Sequence, residues 1–166
     1  MKLYIRQKKF SWTDQFSVTD EYGDPRYYIR GQIFSLGKRL RVHDESGEEI
    51  AVIQEELFRF QPRYRVMLYG SKAAEIVKKR ALMGSRYKVQ GPDWEIEGSI
   101  WNHNYRVTHR GRTIASIHKA WLKWGDYYEL EIDDPANKLL ALAVVLTIDC
   151  VAAAEERDNG GEPSEN

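Results

Sequence analysis

The chain has 166 residues, 42% of them apolar and 30% charged, with 25 Lys and Arg against 25 Asp and Glu. That suits one globular domain with its own core and excludes a disordered or generally membrane-embedded chain. The zero net charge supplies no global field for nucleic acid, so no DNA or RNA partner is expected.

A single cysteine, Cys150, excludes an intramolecular disulfide and a thiolate metal cluster within one chain. The opening MKLYIRQKKFSW is basic and alternating but has no apolar run of the secretory kind. Both features predict a cytoplasmic protein, at most peripheral to a membrane.

From Met1 to Asp134 the dominant period is two. LYIRQK, QFSVTD, RYYIRG, KRLRVHD, EIAVIQEE and RYRVMLY place an apolar side chain at about every second position, as do RYKVQG, DWEIEG, NYRVTH, RTIASIHK and YYELEI. This is the pattern of a strand with one buried face. Between them fall turn signals: EYGDP at 21–25, DESGEE at 44–49, YGSK at 69–72, QGPD at 90–93, NHN at 102–104 and HRGR at 109–112. The segment Ala73 to Leu82 has helix-favouring Ala, Glu and Lys, but the repeat described next and the family resemblance given below favour a strand. About a dozen strands result, which predicts a closed antiparallel barrel or a sandwich.

The chain also resembles itself. Residues 46–68 align with 110–132 at a shift of 64, pairing Gly47 with Gly111, Ile50 with Ile114, Ile53 with Ile117 and Tyr64 with Tyr128. RYYIRGQ at Arg26 and RYKVQGP at Arg86 match at a shift of 60. Two pseudo-repeated half-barrels are expected.

Asp134-Pro135 is a helix start: Asp caps the free N–H groups, and Pro is tolerated at the first position. ANKLLALAVVLTIDCVAAAEER then runs without Gly or Pro, its apolar residues covering nearly the whole circumference. Such a helix must be surrounded on all sides. Its uninterrupted apolar part, Leu139 to Ile148, spans about 15 Å at about 1.5 Å per residue, half of a bilayer core. Extension to Ala154 would bring in Asp149. A core helix over about 136–154 is therefore expected rather than a membrane span or an oligomer interface, closing a single domain of residues 1–154. The acidic EERDNGGEPSEN, 155–166, is expected to be a disordered tail.

Catalytic signals are sparse. His43, His103, His109 and His118 show no HxH, HxxxH or Cys/His spacing and read as surface or turn residues, although barrel closure could bring two together. Cys150 beside Asp149 has the wrong electrostatics for a nucleophile. GSKAA lacks phosphate-loop spacing. No catalytic residue, metal ligand or cofactor is assigned, and the chain is expected not to be an enzyme. Two features are candidate sites. Lys8 and Lys9, Lys38, Arg39 and Arg41, and Lys78, Lys79 and Arg80 are clusters that could form a cationic face for an anionic surface. Asp149 is a polar group on an apolar helix, set either at the barrel rim or in a ligand cavity. Trp94, Trp101, Trp121 and Trp124 read as core and rim packing.

The segment FSLGKRLRVHDESGEEIAVIQ, the strand RTIASIHKAW and the terminal LLALAVVLTIDCVA resemble the LURP-one-related family of the Tubby C-terminal-like superfamily, over residues 1 to 154. The resemblance implies a twelve-stranded barrel around a central C-terminal helix. It also implies a fold shared with phosphoinositide-binding Tubby proteins and phospholipid scramblases, a weak warrant for function. No counterpart of the Tubby lipid-binding constellation is evident, nor a Pro- and Cys-rich scramblase extension. A binding or scaffold module for a protein or an anionic phospholipid surface is the leading expectation. A carrier of a small apolar ligand is the alternative.

Overall fold

The structure is a computed structural model that describes residues 1–6, 13–35, 37–81, 84–122 and 125–159. Twelve strands follow the turn signals of the sequence: β1 Lys2–Arg6, β2 Gln15–Thr19, β3 Pro25–Phe34, β4 Gly37–His43, β5 Glu49–Glu56 and β6 Arg63–Leu68. The second six are β7 Ser71–Ala81, β8 Gly84–Gln90, β9 Trp94–Ser99, β10 Asn104–His109, β11 Arg112–Leu122 and β12 Gly125–Ile132. Each pairs antiparallel with its sequence neighbours, and β1 closes on β12 from Lys2↔Glu131 to Arg6↔Tyr127. The result is a closed up-and-down barrel, which leaves no free sheet edge by topology. The strand reading of Ala73 to Leu82 holds as far as Ala81, Leu82 lying outside the described residues; pairing on both sides outweighs the helix propensity of its residues.

The repeat at a shift of 64 carries β5 and β6 onto β11 and β12, as expected of two six-strand halves. The match at a shift of 60 carries β3 onto β8. Strands five apart in an up-and-down barrel run in opposite directions, so that likeness does not belong to the same repeat.

Asp134 caps a short 3-10 turn, Pro135–Asn137, by accepting from the Ala136 N–H at 3.0 Å. Helix α1 follows, Lys138–Asn159. From Ala141 to Ile148 every residue is fully buried, so the helix is enclosed on all sides and forms one core with the inward faces of the strands. The helix passes beyond Ala154, where the tail was expected to begin, because Glu155, Glu156 and Arg157 favour helix and no Gly occurs until Gly160. Residues 160–166 lie outside the described residues. Among the described residues, no helix is long and apolar enough to cross a membrane.

The barrel's two ends differ. The helix enters beside the β2–β3, β4–β5 and β6–β7 turns, where Tyr22, Glu45, Tyr69, Lys138 and Leu139 line a cleft of about 750 Å³. It leaves beside the β5–β6 and β9–β10 turns, where Glu155 pairs with Lys78 and His103 approaches Asp149.

Candidate functional site: a buried acid and an aromatic, basic rim

Inside the exit end, strands β6, β8, β10 and β12 each direct one tyrosine inward: Tyr64, Tyr87, Tyr105 and Tyr128, all buried. Period-two alternation puts them on the core face, and closure brings them around one level of α1. Asp149 is set at that level, only 5% exposed. The Tyr128 hydroxyl donates to its Oδ2, and the Tyr105 hydroxyl lies 3.5 Å from its Oδ1. His103 stacks on the Tyr128 ring with centroids 4.7 Å apart, its Nδ1 3.7 Å from Asp149 Oδ1.

The electrostatics follow from this enclosure. Burial disfavours the carboxylate and pushes the Asp149 pKa up to about 7, against the pull of hydrogen bonds from Tyr128 and Tyr105. Burial, then the Asp149 charge, raises both tyrosines. Burial, then repulsion from Lys119, lowers His103. Asp149 is thus hydrogen-bonded within the exit end of the barrel. Cys150, next along the helix, is 1% exposed.

His103 is in the β9–β10 turn as expected, and its ring folds inward onto Tyr128. Trp94 is buried and Trp101 half-exposed at 51%. The Trp121 and Trp124 side chains lie outside the described residues.

The basic clusters do not merge. Lys8 and Lys9 lie outside the described residues. Lys38, Arg39 and Arg41 are on β4, and Lys78, Lys79 and Arg80 on β7, with β5 and β6 between them. Arg39 Nε donates to Gln54 at 2.6 Å, and Arg41 pairs with Glu49 at 3.4 Å. The intervening wall is charge-balanced: Arg65 pairs with Glu56 at 2.9 Å and Arg63 with Glu75 at 2.9 Å. Lys78 turns inward to Glu155 of the helix. The clusters of β4 and β7 are thus apart on the wall, because strand order, not sequence proximity, sets which side chains adjoin. What remains is the β7–β8 hairpin. Lys79 and Arg86 are directly opposite each other and, with Arg80, are exposed with no acidic partner among the described residues.

Beside that hairpin is a feature that the sequence reading passed over. The β5–β6 turn carries LFRF at 57–60, and Phe58 and Phe60 are 103% and 102% exposed. Phe58 has φ +60°, a conformation that costs an aromatic residue energy and is found where the surroundings impose it. Phe60 and Arg80 line one cleft of about 430 Å³ with Pro62, Lys78 and Glu155. The signal was present in the apolar composition of a turn flanked by charge.

The fold and the sequence point to one family, and the profile of the LURP-one-related proteins matches residues 1–149. The chain belongs to the LURP-one-related family. A similar relative is the uncharacterized protein YxjI of Bacillus subtilis (strain 168), 30% identical over 159 residues, which are 96% of this chain and 98% of that protein. Among solved structures, the X-ray structure of a protein from Arabidopsis thaliana is similar, with a TM-score of 0.62 at 18% identity over 91% of this chain and 90% of that one. That likeness is one of fold. This LURP-one-related chain carries its distinctive side chains at the helix-exit rim and around Asp149.

Proposed function

We propose that this protein is a non-enzymatic, membrane-peripheral binding module whose helix-exit rim docks on anionic phospholipid surfaces. The observation that carries the reading is the pairing of two fully exposed phenylalanines, Phe58 and Phe60, with the exposed cations Lys79, Arg80 and Arg86, which have no acidic partner among the described residues, at the same end of the barrel. Burial of a Phe side chain is worth about 1.5–3 kcal/mol. Each Lys or Arg near an anionic leaflet adds about 1 kcal/mol. Together these give reversible attachment without a spanning element. Trp101, half-exposed in the β9–β10 turn, extends the aromatic character of this end. A carrier of an apolar ligand has less to support it, since the fully buried side chains Leu142, Val145 and Leu146 fill the space such a ligand would take.

Co-sedimentation with phosphatidylcholine vesicles, with and without phosphatidylserine, across a salt series tests the reading. Binding to the anionic vesicles that weakens as salt rises is expected. No pelleting with anionic vesicles at low salt would overturn it.

A further inference from the structure

On the outer wall, beside the seam where β1 closes on β12, three side chains of the β11–β12 hairpin meet. His118 of β11 is directly opposite Glu129 of β12, and Glu131, two residues on, shares its face. Their ligand atoms all lie within 4.8 Å of one another. His118 Nε2 is 3.0 Å from Glu129 Oε1, and two ligands of one zinc ion, each about 2.0–2.2 Å from it, are about 3.0–3.4 Å apart at tetrahedral to right angles. Glu129 is unusual for an outward carboxylate in being only 7% exposed. The Tyr4 hydroxyl donates to its Oε2 at 2.7 Å, which orients the group and leaves Oε1 facing His118. A cation already uses that oxygen: Lys2 Nζ is 2.8 Å from Oε1.

We propose that His118, Glu129 and Glu131 form a divalent transition-metal site of the zinc class, with Lys2 as the built-in competitor for Glu129 Oε1. One imidazole and two carboxylates suit zinc and its neighbours, and they leave a fourth position for water. Lys2 is exposed enough to swing away on a flexible stem, so metal and ammonium exchange at one oxygen. A bound ion ties β11 to β12 and, through Tyr4, to β1. The site therefore pins the seam at which the barrel closes. It is separate from the lipid-facing rim and does not depend on it.

Isothermal titration of the chelator-stripped full chain with zinc chloride tests this, alongside thermal melting with and without zinc. One ion per chain is expected, with a zinc-dependent rise in melting temperature. His118→Ala should weaken binding at least tenfold and abolish that rise. Glu131→Gln should weaken binding several-fold, Lys2→Ala should tighten it, and His43→Ala should leave it unchanged. The substituted side chains lie on the outer wall, and melting in metal-free buffer verifies that each variant folds. Absence of saturable zinc binding, or binding retained in both His118→Ala and Glu131→Gln, would overturn the site. A Lys2→Ala variant that binds zinc no more tightly than the parent would overturn the competition.

Discussion

The imidazole of His103 stacks on the ring of Tyr128, with centroids 4.7 Å apart and planes 10° from parallel. This contact joins the β9–β10 turn to β12 and covers the carboxyl of Asp149, to which the Tyr128 hydroxyl donates. A turn residue, a strand residue and a helix residue thus close the barrel's exit end around one buried acid.

Asp149 makes stability depend on pH. Its folded pKa, about 7, is above the ordinary 3.8, so between these values the folded state holds a proton that the unfolded state has lost. Stability from this group is therefore fully present below about pH 4 and is lost as pH rises through 7. At about 1.4 kcal/mol per pKa unit, the full span is roughly 4 kcal/mol. Asp149→Asn should gain stability relative to the parent steadily from pH 4 to pH 7.5, as urea unfolding at each pH would show. A constant difference between the two proteins would contradict this.

Tyr128→Phe removes the donor but keeps the ring. Leaving a buried carboxyl short of one hydrogen bond should cost about 1–3 kcal/mol at neutral pH. The same hydrogen bond opposes the upward shift of Asp149, so the Asp149 pKa should rise further in the variant. Urea unfolding measures the first effect, and carboxyl chemical shifts in a pH titration the second.

The enclosed helix tolerates no charge. Leu142 and Val145 are fully buried, and Leu142→Asp or Val145→Asp should abolish folding by placing an unpaired carboxylate in the core. Leu142→Ala should fold with a loss of about 2–5 kcal/mol. Circular dichroism and thermal melting distinguish these outcomes. A soluble, fully folded Asp variant would contradict the burial.

At the rim the expectation is reversed. Phe58→Ser with Phe60→Ser removes side chains that touch mainly solvent, so stability should change by no more than about 0.5 kcal/mol per site. Binding to anionic vesicles should fall at least tenfold. Lys79→Ala with Arg86→Ala should instead flatten the salt dependence of binding.

Gly98 has φ +113°, and an added Cβ would be 2.7 Å from the Asn104 carbonyl oxygen and 2.9 Å from Tyr105 Cα. Both obstacles are backbone and cannot swing away. Gly98→Ala should therefore cost about 1–3 kcal/mol and displace Tyr105 from Asp149, measurable as a lower melting temperature.

Much of the architecture was legible from spacing along the chain. Alternation in RYRVML and NYRVTH marks strands, and DESGEE and HRGR mark turns. Asp134-Pro135 marks a helix start, and the apolar circumference of Leu139–Ile148 requires enclosure. Each signal lies within a few residues of itself. The segment Ala73–Ala81 shows the limit: its propensity favours helix, and only partners on both sides make it a strand.

The sequence by itself therefore determined about a dozen strands, several of their turns, and a helix that had to be surrounded. Such features depend on period, capping and the transfer of apolar surface from water, all of them local. Only the tertiary structure decided which side chains converge. His103, Tyr105 and Tyr128 meet at Asp149, and Lys2, His118 and Glu129 meet on the outer wall, because register and barrel closure bring together residues tens of positions apart. The same closure separates the cations of β4 from those of β7 and sets Phe60 beside Arg80. No spacing rule along a single chain encodes neighbours that arise across a sheet.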